Sequence, residues 1–353
     1  MHQPWLEISR AAFENNVSTI KNIIQTTNLG IVVKANAYGH GMQQIALLAE
    51  HNPAISHICT ATTSEALALR YAGITKPIIA LSYNDIPWRD VLIHAIQCVV
   101  YEESHLRDIN AAAYATRTRA YVHLKVDSGM CRLGVMPEQC ISFIQKILSY
   151  ETIVLAGIFT HLSDTNNPDQ SFTHEQLARF DTLMKKINIM GIVIPHVHAC
   201  ASGSLIEKNL YSLVRVGTSL YGYHKSSSQE ERFKKVYPDY SLCQLITVRA
   251  PIIDIYHDGA ITRAIVAAGT KDGLMGIPEY VMIKTKKAPV VALGLSYMFI
   301  DISMHNNINI GDSVSLIADI PGLRVNDHAL RAGTIGNDIV TGLSPDLPRY
   351  LVP

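Results

Sequence analysis

Short runs rich in apolar and β-branched residues recur through the first two thirds of the chain. They lie at Gly30–Val33, Ser56–Thr60, Pro77–Leu81, Gln97–Tyr101, Ala120–Val126, Val154–Thr160, Pro195–Ala199 and Leu213–Val216. Each has the length of a buried strand, and most are followed by a helical pattern. After the second run, Thr62 and Glu65 have capping-box spacing, Leu67, Ala68 and Leu69 crowd the middle, and Gly73 supplies a stop. After the sixth, Leu177, Phe180, Met184 and Ile187 fall on one helical face. Strands alternating with helices in this way predict an α/β protein with a (β/α)8 barrel; a doubly wound sheet is the alternative.

The pattern changes near residue 225. Lys225–Tyr237 (KSSSQEERFKKVY) is polar and reads as a linker or surface connection. Beyond it, Leu242–Val248, Ala264–Ala267, Tyr280–Lys284, Pro289–Leu293 and Ser313–Ala318 read as strands between Gly, Asp and Asn turns. The expected organisation is a barrel over residues 1–225 and a mostly-β domain over 226–353. Residues 1–8 are open to reading as a strand that joins the second domain.

Composition narrows the class. Of 353 residues, 48% are hydrophobic and 17% charged, enough apolar content for a sizeable core. Thirty basic and thirty acidic residues cancel, which argues against nucleic acid or an acidic membrane surface as partner. The six cysteines form no C-x-x-C pair, so a reducing, cytoplasmic setting is expected and no metal site. The start has no apolar signal core, and no apolar run is long enough to span a bilayer.

In such a barrel, chemistry belongs at the C-terminal strand ends. Lys34 ends the first strand, Lys125 and Asp127 the fifth, and His161 the sixth; Ser202 follows the seventh, and Arg215 lies in the eighth. Taken singly, a lysine is usually a solvated charge and a histidine a satisfied core group. Their shared position at one end of the barrel is the signal. A lysine after Ile31–Val32–Val33 can be desolvated into a usable amine nucleophile, suited to Schiff-base chemistry. Gly217 and Gly222 permit a phosphate cradle with Ser202, or an ordinary turn.

The run VVKANAYGHG (Val32–Gly41) resembles the cofactor-lysine signature of alanine racemases. LKVDSGMCRLG from Leu124, IFTHLSD around His161, HACAS ending at Ser202 and RVGTSLYG from Arg215 resemble further blocks of that family, in the right order. The resemblance implies a homodimeric pyridoxal 5'-phosphate enzyme that racemises a small amino acid, alanine by default. Lys34 would hold the cofactor and act as one of two bases. Tyr38, Ser202 and Gly217 would bind its phosphate, and His161 and Arg215 would contact its ring. Arg132 would meet the substrate carboxylate, oriented by a carbamylated Lys125. An arginine at the ring nitrogen can only donate, so that nitrogen would carry no proton and the ring would be a weaker electron sink.

The C-terminal third departs from the family pattern. The V-[SG]-Y-G block that carries the second-base tyrosine is missing; Tyr256 and His257 are the nearby candidates. Thr270 stands for the tyrosine of a G-Y-x-D-G block, and APVVALGLSYMFIDI lacks the expected C-M-D. Asn337 occupies a phosphate-contacting tyrosine position, and Ala201 replaces asparagine before Ser202. These losses keep two alternatives open: a lyase or decarboxylase on the same barrel, or a paralogue that binds the cofactor without turnover.

Overall fold

The computed structural model describes residues 3–353 apart from Lys208, Ala260 and Ile277. After β1 (Trp5–Ser9) come eight short strands: β2 (Asn28–Val32), β3 (His57–Thr62), β4 (Ile78–Tyr83), β5 (Ile96–Val100), β6 (Ala120–Lys125), β7 (Ile153–Phe159), β8 (His196–His198) and β9 (Leu213–Val216). They pair in parallel in the order β8-β7-β6-β5-β4-β3-β2-β9. The seam between β8 and β9 is closed by Ser212 N–H to Val197 O (3.1 Å) and Arg215 N–H to Cys200 O (3.0 Å). The sheet is therefore a barrel, as the alternation predicts, and not an open doubly wound sheet.

The strands form where the sequence places them because both of their faces are buried. Their outer faces join the main apolar core beneath the helices, while Val32, Cys59, Ile79 and Leu213 make a separate cluster. The helix Thr63–Tyr71 realises half of the expected capping box. Thr62 Oγ1 accepts from Glu65 N–H at 3.3 Å. The Glu65 carboxylate turns instead to Ala61 N–H (2.8 Å) and Ala35 N–H (2.9 Å), tying this helix to the turn after β2.

Lys225–Tyr237 is not simply a linker: it contains the helix Ser227–Val236. Ser226 Oγ caps it by accepting from Gln229 N–H (3.2 Å), and Gln229 and Phe233 are its buried side chains. One buried aromatic among charges gives too weak a period to register as a helix.

The second sheet is mostly antiparallel. It comprises β10 (Ile246–Asp258), β11 (Ile261–Val266), β12 (Tyr280–Ile283), β13 (Lys286–Leu293), β14 (Met298–Asp301), β15 (Ser313–Ile317) and β16 (Arg349–Val352), in the order β11-β14-β13-β12-β15-β10-β1-β16. β1 enters it between β10 and β16; Met1 and His2 lie outside the described residues. Helices Val325–Ala332 and Gly336–Gly342 interrupt this domain, and the second reaches back to the barrel mouth. No helix among the described residues is long and apolar enough to cross a membrane.

Candidate active site

Lys34 opens an unusual turn. Ala35, Asn36, Ala37 and Tyr38 all have positive φ, between 50° and 53°. An L-residue in that region costs roughly 1–2 kcal/mol, so the turn must be held from outside. Ala37 N–H bonds Val33 O (2.7 Å), Asn36 Oδ1 accepts from Met42 N–H (2.8 Å), and Glu65 takes Ala35 N–H. From the second domain, Arg349 Nε donates to Gly39 O (2.8 Å). Gly39 has φ 79°, and a Cβ there would lie 1.8 Å from Val340 O, so only glycine fits.

The turn aims Lys34 into a cavity at the barrel mouth, open to solvent. The cavity brings together Lys34, Tyr38, Lys125, Arg132, His161, Ser202, Arg215 and Gly217. Tyr256 and His257 do not line it: Tyr256 stands 3.5 Å from Arg263 on the β10–β11 ladder, and His257 bonds Thr262 Oγ1 (2.9 Å). Among the described residues beyond 225, only Gln229 and Asn337 contribute to the lining, and neither is a base.

The lining holds five cationic side chains, Lys34, Lys125, Arg132, Arg215 and Lys225, and no carboxylate among the described residues. Burial, then Lys225 and Arg132, push the Lys34 amine below its usual pKa, partly offset by Glu65. Solvent reaches Lys34 through the mouth, yet its amine lies among protein atoms and other cations. Burial, then Arg132 and Arg215, bring Lys125 down to about 8. Burial and the cations, Arg215 foremost, keep His161 neutral.

Arg215 is fully engaged at one end. Nη1 donates to His198 Nδ1 (2.5 Å) and His198 O (3.0 Å); Nη2 donates to Thr160 O (3.0 Å) and Ala199 O (3.3 Å). With four N–H groups committed, Nε–H is the donor left for the cavity. Across the mouth, Ser202 Oγ accepts from Gly217 N–H (3.0 Å) and Ser219 N–H (3.2 Å). A Cβ on Gly217 would sit 2.8 Å from Tyr38 Oη, so the bare glycine keeps a hydroxyl and N–H groups close together. With those N–H groups turned to Ser202 Oγ, the Ser202 and Tyr38 hydroxyls remain as donors that suit an anion. Arg132 rides on a loop pinned by Asp127, which accepts from the N–H groups of Gly129 (2.9 Å), Cys131 (3.0 Å) and Arg132 (2.9 Å).

Sequence reading missed Lys225, His123 and His198. Lys225 was absorbed into the polar stretch after residue 224. The histidines carried a usable signal: His123 stands two residues before Lys125, and His198 two after His196, so each pair shares one strand face.

A family model described as alanine racemase, N-terminal domain, matches residues 8–225, and one described as alanine racemase, C-terminal domain, matches 255–351. An alanine racemase of Clostridium perfringens is 32% identical over 364 residues, covering 98% of this chain and 94% of the relative. One from Methanococcus maripaludis is 30% identical over 370 residues, covering 99% and 98%. The solved alanine racemase of Clostridium difficile 630 in complex with cycloserine superposes with a TM-score of 0.89 at 28% identity, covering 99% of this chain and 97% of that one.

Proposed function

This chain belongs to the alanine racemase family, and from that premise we propose that it interconverts L- and D-alanine using pyridoxal 5'-phosphate held in the Lys34 cavity. The observation that carries this reading is the cavity's donor set. An amine of lowered pKa, an uncommitted Arg215 Nε–H and the Ser202–Gly217 cradle face one space lined, among the described residues, by five cations and no carboxylate. That set fits an anionic aldehyde bearing a phosphate. A Cβ would fill the cradle at Gly217, and Ser219 Oγ beside it is buried without a partner.

When bound, the cofactor supplies an aldehyde that condenses with amines and a ring that draws electron density from the substrate α-carbon. Lys34 would anchor it, and its Nζ would take or return the α-proton on one face. Ser202, Gly217 and Tyr38 hold the phosphate; burial raises the Tyr38 phenol pKa, so it stays a donor. Arg215 Nε would face the ring nitrogen as a donor that cannot accept a proton there, so the ring would be a weaker electron sink. Arg132 binds the substrate carboxylate. Lys125, at about 8, is roughly one tenth neutral at pH 7, the form that takes up carbon dioxide. Inversion needs a proton-transferring group on each face, and among the described residues the second domain of the same chain brings no base to the cavity. A homodimer is the proposed assembly, with the partner completing the site. The six cysteines are all free, in keeping with a reducing, cytoplasmic setting.

The test is to supply the cofactor and either enantiomer of alanine in D₂O, following α-proton loss by NMR and inversion by optical activity. Both enantiomers should exchange and invert, and Lys34→Ala should do neither. Exchange from one enantiomer without inversion would sink the racemase reading.

A further inference from the structure

The hydrogen bonds behind Arg215 continue past His198 and cross the barrel interior. His198 Nε2 lies 3.0 Å from His123 Nδ1, and His123 Nε2 lies 2.7 Å from Gln97 Oε1. Arg215 sits near the C-terminal end of β9 and His198 ends β8; His123 is in the middle of β6, and Gln97 is the second residue of β5. The relay therefore runs from the mouth toward the opposite rim. Both histidines are fully buried, and Gln97 is half-buried. Gly157 makes the room: a Cβ there would lie 2.2 Å from His123 Nδ1 and 2.8 Å from His196 O.

With Arg215 at one end and Gln97 at the other, the relay has one direction that satisfies every partner. Arginine can only donate, so His198 Nδ1 must accept, and the single proton of that imidazole is on Nε2. His198 Nε2–H then donates to His123 Nδ1, which places the His123 proton on Nε2. That N–H needs an acceptor, and the Gln97 carbonyl oxygen supplies it. Burial first, then the neighbouring imidazoles of His196 and His57 for His123 and the Arg215 charge for His198, hold both rings well below the usual histidine pKa. A reversed Gln97 amide would aim N–H at N–H and leave buried donors unpaired.

We propose that Gln97 is a positioning residue for Arg215. By accepting from His123 Nε2 it fixes both imidazole tautomers and so holds His198 Nδ1 as the acceptor that orients the guanidinium. The idea rests on Arg215 being the ring-facing donor of the proposed function. No carboxylate is needed: the order is set at one end by an obligate donor and at the other by an amide oxygen.

The experiment compares wild type, Gln97→Glu and Gln97→Leu as full-length, cofactor-free protein labelled with ¹⁵N-histidine, at pH 8. Glutamate keeps the acceptor oxygen and leucine removes it. Long-range ¹H–¹⁵N spectra should show His123 and His198 protonated at Nε2 in wild type and Q97E. In Q97L, Nδ1–H signals should appear, and pyridoxal phosphate should bind about five-fold more weakly, the worth of one ordinary hydrogen bond. A wild-type His123 protonated at Nδ1, or a Q97L protein matching wild type in tautomers and affinity, overturns the proposal. If the tautomers follow this pattern while no variant racemises alanine, the relay stands and the proposed function falls.

Discussion

Replacing Gly217 by alanine tests whether Tyr38 and the Ser202–Gly217 turn form one anion cradle. The backbone at Gly217 is outside the positive-φ region, so the strain is confined to the added methyl. Its Cβ would lie 2.8 Å from Tyr38 Oη and 3.1 Å from Cζ. Ordinary contact begins near 3.4 Å, so the phenol oxygen must retreat by about 0.6 Å. The ring has little freedom to do so, because it packs against Tyr221 with centroids 5.2 Å apart. Overpacking of this kind costs roughly 1–3 kcal/mol, and a phenol moved off a bound phosphate forfeits a charge-assisted hydrogen bond of about 1.5–3 kcal/mol. Cofactor affinity of Gly217→Ala should therefore fall about 10- to 100-fold. Titration of the cofactor-free protein by fluorescence quenching measures it, run as a cycle with Tyr38→Phe and the double variant. Phenylalanine removes the atom at 2.8 Å, so the double variant should bind about as well as Tyr38→Phe alone, with a coupling energy of at least about 1 kcal/mol. Wild-type affinity in Gly217→Ala, or penalties that simply add, would refute the shared cradle.

Three further outcomes are expected. In cofactor-free Lys225→Met, removal of a neighbouring cation should raise the Lys34 pKa, so acylation of Lys34 followed by peptide mass mapping should shift its midpoint to higher pH; an unmoved midpoint would contradict the cavity electrostatics. His40 is fully buried, and burial lowers its pKa from 6.5 to about 4. The unfolded chain then binds a proton that the folded one refuses, so its contribution is complete above about pH 6.5 and is lost as pH falls toward 4. That shift is worth roughly 3 kcal/mol, and urea midpoints equal at pH 7 and pH 4.5 would speak against it. Thr62→Ala removes a helix N-cap and should lower unfolding free energy by about 1 kcal/mol, measured by denaturant titration.

The barrel was legible because parallel strands buried on both faces write themselves as short apolar runs, and because polar residues at their C-terminal ends stand out against those runs. The cavity gathers Lys34, Tyr38, Lys125, Arg132, His161, Ser202, Arg215 and Gly217, whereas Asp127 stands behind the Arg132 loop, Gly222 packs against Cys243, and Tyr256 and His257 lie outside it. What escaped was the interior behind the site. His123 and His198 sit inside strands, where a histidine reads as one more core residue until its hydrogen-bond partners are known. The helix Ser227–Val236 escaped because Phe233 is its single large apolar anchor. Lys225 escaped with it, since nothing in a polar stretch distinguishes a lysine that faces a cavity from one that faces water. The role of Glu65 was half visible: spacing predicted the cap at Thr62, but only the fold could bring its carboxylate to Ala35 N–H.

The turn after Lys34 is a short piece of mirror-image helix made from L-residues. Ala35 and Ala37 hold φ values of 52° and 53°, the natural handedness of a D-residue. Semisynthetic D-alanine at position 35, which faces solvent, should relieve about 1–2 kcal/mol of backbone strain and raise the unfolding midpoint of the cofactor-free protein. A chain proposed to make D-alanine would thus be relaxed by its own product, built into the turn that carries its cofactor lysine.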